Sequence, residues 1–375
     1  MTILYLDYQA TTPLAPEAAG KMRPWIEEKF ANPHSAHRLG REAGAAIEVA
    51  RQQISAALGG AAGKLHFTSG ATEAANWALK GTAWRLPRDR RRIVTLATEH
   101  ACVLDSLDWL EGQGFEIDIL PVGADGLVDL DLLRSRVAPE TGLVATMLVN
   151  NEIGVVQPVE AIAEVAHGAG ALFFCDAVQG FGRVPLPLHA CDMIAISAHK
   201  IHGPKGIGAL WVRDGVSLDP LLHGGGQEGG VRSGTLSPAL CVGFGEAARL
   251  LDERKEADAS HVARLWEVAL DALGERWQLN GLAGARYRGN LNILRENIDS
   301  TRLISDLRDI AFSAGSACAS GSGRPSHVLS ALGLDPRQAR SSLRIGFGRY
   351  TGEEELLDAL RMIDEAADRQ LSFVA

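Results

Sequence analysis

Ala171-Leu172-Phe173-Phe174-Cys175-Asp176, Met193-Ile194-Ala195-Ile196-Ser197 and Ile207-Gly208-Ala209-Leu210-Trp211-Val212 are three short apolar runs in close succession. Each is bounded by turn signals, and their length suits strands rather than helices. Working outward, His66-Phe67-Thr68, Ile93 to Leu96, Ile117 to Leu120 and Leu143 to Val149 repeat the pattern, mostly with helical stretches between them. Ala43 to Leu58 reads as an amphipathic helix ended by Gly59-Gly60, and Pro13 and Pro16 open another helical stretch after a first strand from Ile3 to Asp7. Such alternation predicts an α/β fold: a mainly parallel, seven-stranded sheet with helices on both faces. A helix from about Pro238 to Arg254, with Ser237 as N-cap, leads into a charged stretch reaching Leu273. Beyond it, strand-like pieces (Gly289 to Leu294, Leu343 to Gly346) mix with helices. The chain thus divides into a large domain over 15–244 and a smaller α+β domain over 245–375, joined by the N-terminal segment 1–14.

The 375 residues are enough for two domains with cores that need no disulfide or metal staple. Hydrophobic residues at 46% and charged residues at 22% exclude a disordered or low-complexity chain. A net charge of −9 argues against a surface built for nucleic acid or an anionic bilayer. The run Arg85, Arg88, Arg90, Arg91, Arg92 is read as a solvated loop. Met1 to Asp7 has no basic region leading into a long apolar one, and no run approaches about 18 apolar residues, so a cytoplasmic protein without membrane contact is expected. Five widely spaced cysteines without a Cys-x-x-Cys give no support to a metal site or a disulfide framework. A cysteine that matters here should act as a thiol.

Several motifs sit at predicted strand ends, where open α/β sheets bind ligands. Ser69-Gly70-Ala71-Thr72-Glu73 follows a strand and opens a helix, whose free N–H groups suit a phosphate, or else form an ordinary N-cap. Ser197-Ala198-His199-Lys200 ends another; desolvation there would make the Lys200 amine nucleophilic enough for a Schiff base. Asp176, with Gln179 close behind, could keep a pyridine nitrogen protonated, which makes pyridoxal phosphate an electron sink. His100 could stack on an aromatic cofactor or relay a proton. Asn151 ends a further strand, and Arg344 could clamp a carboxylate with two prongs. Cys318, surrounded by Gly, Ser and Ala from Ser313 to Gly323, sits in a composition that packs a core poorly; a mobile loop there could carry it between substrate and acceptor.

Leu6-Asp7-Tyr8-Gln9-Ala10-Thr11-Thr12-Pro13, Thr68 to Glu73, Thr98-Glu99-His100, Asn150-Asn151-Glu152-Ile153-Gly154, Cys175 to Gln179, Ser197 to Lys200, Arg232-Ser233-Gly234-Thr235 and Gly315 to Cys318 follow in order with close spacing. Taken together they resemble the cysteine desulfurases, members of the class-V aminotransferase family of fold-type I pyridoxal-phosphate enzymes. The resemblance implies that Lys200 forms the internal aldimine, Asp176 pairs with the pyridine nitrogen, Gln179 contacts the ring hydroxyl and His100 stacks on the ring. It implies that Ala71, Thr72, Ser197 and His199 hold the phosphate, joined by Thr235 from the other subunit of a homodimer. Asn151 and Arg344 would bind the carboxylate of L-cysteine, and Cys318 would receive the sulfur for a sulfur-acceptor protein such as an iron–sulfur scaffold. A selenocysteine lyase, another class-V aminotransferase or a non-catalytic sulfur-carrier platform would share most of these motifs. Two departures stand out: Gly229 occupies a position where the family commonly has an arginine, expected near the cofactor mouth, and the sequence lacks the longer tail some members use to dock a scaffold.

Overall fold

The strands Thr141–Met147, Leu172–Asp176 and Met193–Ser197 are almost wholly apolar and almost wholly buried. A strand covered by helices on both faces needs this composition. A computed structural model describes residues 3–315 and 326–372. Its main sheet has seven strands in the order Gly63–Thr68, Gly208–Arg213, Met193–Ser197, Leu172–Asp176, Thr141–Met147, Arg92–Leu96, Glu116–Leu120. All neighbours run parallel except Gly208–Arg213, which is antiparallel to the strands on both sides of it. The fold is therefore mainly parallel α/β, as its alternating runs predict. Successive side chains enter opposite layers: Phe173 and Ile194 pack with Ile54 and Phe244 on one face, Phe174 and Met193 with Trp77 and Leu107 on the other.

The helix Pro238–Leu273 starts where Ser237 and the first-turn proline place it, with the Ser237 side chain accepting from the Leu240 N–H. It runs well past Arg254, because no proline or glycine interrupts the charged stretch before Gly274. Phe244 and Ala248 near its start belong to the large-sheet core, while Leu265, Trp266 and Ala269 belong to a second core. One helix thus carries the chain from one core to the other. Gly245 lies where this helix crosses the helix Arg38–Ala57; a Cβ there would come within 2.7 Å of the Ala50 backbone. That second helix begins earlier than Ala43, because the His37 side chain accepts from the Gly40 N–H and caps it.

The second core lies under a four-stranded antiparallel sheet, ordered Ser313–Ala314, Ser342–Gly346, Asn290–Leu294, Gln278–Leu279. The helix Glu353–Ser372 buries Leu356, Leu360, Ile363 and Ala367 against it, at helical spacing. The first strand is only Leu4–Tyr5, paired with Ile310–Ala311, so the chain begins on this second core. It then crosses to the large sheet: the Gln9 amide donates to the Gly289 carbonyl and the Thr12 hydroxyl to the His199 carbonyl. The arginine run is largely structural. Arg85 pairs with Asp219, Arg92 with Glu116 and Glu140, and Arg90 and Arg91 donate to backbone carbonyls.

Candidate active site

The parallel strands end along one edge, where a cavity of about 630 Å3 opens. The chain reverses its strand order between Arg92–Leu96 and Thr141–Met147, the place where doubly wound sheets bind ligands. Ala71, Thr72, His100, Asn151, Asp176, Gln179, Ser197, His199, Lys200 and Arg344 all line this one cavity. Thr235 does not; it is exposed on the loop before Pro238. Cys318 lies outside the described residues.

Each side chain is placed by local structure. The helix Ala71–Ala83 has no side-chain N-cap, so its leading N–H groups stay available at the cavity wall. Glu73 in its first turn is neutralised by Arg232 through two bonds of 2.7 and 3.0 Å, which leaves that helix end favourable to an anion. Gly208 lets the Ser69-Gly70 turn lie against the strand, since a Cβ there would sit 2.8 Å from the Gly70 backbone. Ala198–Lys200 forms a single 3-10 turn, held by the Ile201 and Gly203 N–H groups donating to the Ala198 carbonyl. The Asn150 side chain accepts from the Glu152 and Ile153 N–H groups, and this Asx turn brings Asn151 to the cavity.

The charges are arranged around the lysine. Lys200 Nζ donates to the carbonyls of Gln9 and Ala10, at 2.5 and 2.9 Å. The Gln179 amide donates to the same Gln9 carbonyl at 2.9 Å. Asp176 accepts from the Val178 N–H at 3.0 Å, and burial raises its carboxyl above the ordinary value despite His100 and Lys200 nearby. A cationic ligand at this wall would offset that burial. Glu99 is fully buried, and burial pushes its carboxyl far up, which favours its neutral form beside Asp176. Burial also lowers His100, which caps the helix Ala101–Glu111. The Cys102 N–H donates to His100 Nδ1 at 3.1 Å, so the neutral ring carries its proton on Nε2. His199 is held down to about 4 by burial and by Lys200 and Lys205.

The opposite wall comes from the second sheet. Arg344 is 1% exposed; it donates to Asp7 Oδ1 at 2.8 Å and to the Asn151 carbonyl at 3.2 Å, while its Nε has no hydrogen-bond partner among the described residues. The Ser313 hydroxyl donates to the same Asp7 oxygen. On the far side of residues 316–325, the Ser326 hydroxyl donates to Glu152 Oε2 at 2.5 Å and His327 Nε2 bonds the Glu99 carbonyl at 2.8 Å. The described residues flanking the Cys318 segment are therefore anchored on Asp7, Glu152 and the Glu99 carbonyl, each bonded to or adjacent in sequence to a residue that lines the cavity.

Glu152 also makes the site sensitive to pH. Burial raises its carboxyl from 4.5 to about 7, against the pull of Ser326 and Arg344. A folded value above the unfolded one means the protonated form favours the fold; this stability is present below about 4.5 and lost as pH climbs through about 7. Glu152→Gln should therefore gain on the wild type by about 2–3 kcal/mol between about pH 5 and pH 8, read from urea unfolding. Parallel stability profiles for the two proteins would contradict this.

Sequence reading missed several groups. Asp7 and Gln9 lie within a quoted motif but had no assigned role; only tertiary contacts reveal that they hold Arg344, Lys200 and Gln179. Cys102 lines the cavity, but burial and Asp176 push its thiol well above the ordinary range, so it keeps its proton. Gly229 lines a separate depression of this chain, beside Glu228 and Arg51, and not this cavity. Among the described residues no cluster of His, Cys, Asp or Glu could hold a metal ion.

The sequence matches the Aminotransferase class-V family over residues 4–360. It is 44% identical over 368 residues to the cysteine desulfurase IscS of Rickettsia bellii, covering 96% of this chain and 90% of that one. The structure resembles that of a NifS-like protein, with a TM-score of 0.91, 34% identity and coverage of 99% of this chain and 100% of the other. It also resembles SspA in complex with cysteine, with a TM-score of 0.81, 36% identity and coverage of 93% and 100%. On this agreement of sequence, fold and edge-of-sheet cavity, the chain belongs to the class-V aminotransferase family, and within it to the cysteine desulfurases.

Proposed function

We propose that this cysteine desulfurase converts L-cysteine to L-alanine with pyridoxal phosphate held at Lys200, and moves the substrate sulfur onto Cys318 as a persulfide. The observation that carries the reading is one cavity lined by Lys200, Asp176, an uncapped helix end and Arg344, with Ser313 bonded to the Asp7 that holds Arg344. The donor set fits the coenzyme. Ala71, Thr72, Ser197 and His199 would hold its phosphate, Asp176 would face the ring nitrogen, Gln179 the ring hydroxyl and His100 a ring face. Thr235, exposed here, would reach the phosphate of a second subunit in a homodimer. When bound, the coenzyme supplies an electron-accepting ring that lets an amino acid lose its α-proton.

The protein's own groups then divide the work. Arg344 and Asn151 bind the substrate carboxylate, with Asp7 keeping the guanidinium oriented. The Lys200 amine, held near the ring by the Gln9 and Ala10 carbonyls, takes the α-proton. His100 can accept a second proton only by giving up the Cys102 amide bond, which supports a stacking and hydrogen-bonding role over that of a base. Cys318, as thiolate, attacks the substrate sulfur: a sulfur–sulfur bond forms and the substrate carbon–sulfur bond breaks. The carbon side is reduced and leaves as alanine after protonation; the sulfur pair on Cys318 carries the matching oxidation.

The persulfide would pass to an acceptor protein such as an iron–sulfur scaffold. Cys102, Cys175, Cys191 and Cys241 are free thiols, which supports a reducing, cytoplasmic setting. No helix among the described residues is long and apolar enough to cross a membrane. The reading is tested by alanine release from L-cysteine by the wild type and by Arg344→Lys. The lysine cannot make the two-pronged carboxylate contact, so KM should rise about tenfold with kcat within about threefold. Absence of alanine from the wild type, or an unchanged KM in the variant, would contradict it.

A further inference from the structure

Behind the cavity wall lies a guanidinium that the mechanism above does not use. Arg183 follows the Asp176–Gln179 turn, and its Nη1 donates to the Gln179 side-chain oxygen while Nη2 donates to the Lys200 carbonyl at 2.6 Å. The same group stacks over the Tyr287 ring, 5.0 Å from its centroid. Among the described residues its contacts are two neutral oxygens and an aromatic ring. An arginine kept partly buried beside a lysine, without an anion to neutralise it, is costly unless its position has a use.

We propose that Arg183 is a positioning residue of this site: one guanidinium fixes the Gln179 amide and the Lys200 main chain together, and sets a permanent positive charge behind the Lys200 amine. With the Gln179 oxygen occupied by Arg183, its amide nitrogen is obliged to donate, and it now does so to the Gln9 carbonyl. That carbonyl also accepts from Lys200 Nζ, so the two side chains that meet the coenzyme in the proposed function share one anchor. The other charged and titratable groups lining the cavity with the amine are His199, Lys205, Asp176, His100, Cys102, Glu73 and Arg344. Arg183 contributes to holding His199 down as well. Its charge therefore favours the neutral form of neighbouring bases, the form in which a lysine can remove a proton.

The inference rests on Lys200 holding the coenzyme, and the experiment separates the two. Holoenzyme is titrated with pH while following the absorbance near about 420 nm expected of coenzyme bound to a protonated lysine linkage. Arg183→Met should move the midpoint up by about one pH unit, since loss of a nearby cation favours the protonated form. Arg183→Lys should leave the midpoint close to the wild type but lower kcat about tenfold with KM within about twofold, because a flexible ammonium lacks the fixed planar fork that orients both acceptors at once. In the Gln179→Ala background, Arg183→Lys should cost no further activity. A coincident titration for Arg183→Met, or multiplying losses in the double variant, would overturn the proposal, and the lysine variant decides it even if the methionine variant does not fold. A wild type without any such band would instead overturn the role of Lys200.

Discussion

Lys200→Ala is expected to yield a folded, colourless protein that releases alanine from L-cysteine at least about a thousandfold more slowly than the wild type, the scale on which a positioned acid–base group acts. The lysine sits on the 3-10 turn after a buried strand, where its amine donates to the Gln9 and Ala10 carbonyls. Among the described residues of the cavity, neither of the other candidate bases is placed to replace it. Lys205 is exposed on the next turn, and His100 has Nδ1 engaged by the Cys102 amide. A variant that kept the absorbance near about 420 nm and turned over normally would remove Lys200 from the site.

Cys318→Ser should produce the second large effect: the coenzyme colour stays, while alanine formation from cysteine falls at least about a hundredfold, because a hydroxyl is a far weaker sulfur nucleophile than a thiolate. The rest of the chain offers no substitute. Cys102 lines the cavity but keeps its proton, and Cys175, Cys191 and Cys241 are buried in the core. Full-rate alanine formation by the variant would point to a lyase or an aminotransferase, which needs no thiol at 318. A wild type lacking both colour and turnover would point to a carrier platform that has kept the fold.

The fold was legible because the strands of the main sheet are short, apolar and separated by helices, a pattern that depends on local sequence alone. The grouping of the candidate residues was legible for a related reason: each strand end carries its own motif, so Ser69 to Glu73, Asn150 to Gly154, Asp176 to Gln179 and Ser197 to Lys200 share an edge once the strands align. Contacts that depend on distant parts of the chain were not legible. Asp7 reaches Arg344 only because the strap after Leu4–Tyr5 lies beside Gly346. Gln9 joins Lys200 to Gln179, and Arg183 joins them again from behind, with no spacing in the sequence to announce either. Gly229, expected near the cofactor mouth, lines another depression of this chain, where the Glu228 carboxylate meets Arg51 and the Phe67 N–H.

The central claim is that chemistry begun at Lys200 ends with sulfur on the thiol at 318. Its most direct test is mass spectrometry of the peptide containing Cys318 after incubation with L-cysteine, run on the wild type and on Lys200→Ala. One additional sulfur atom on the wild-type peptide, removable by a thiol reductant and absent from the variant, is the predicted result. An unmodified wild-type peptide alongside normal alanine release, or equal sulfur on both proteins, would contradict it.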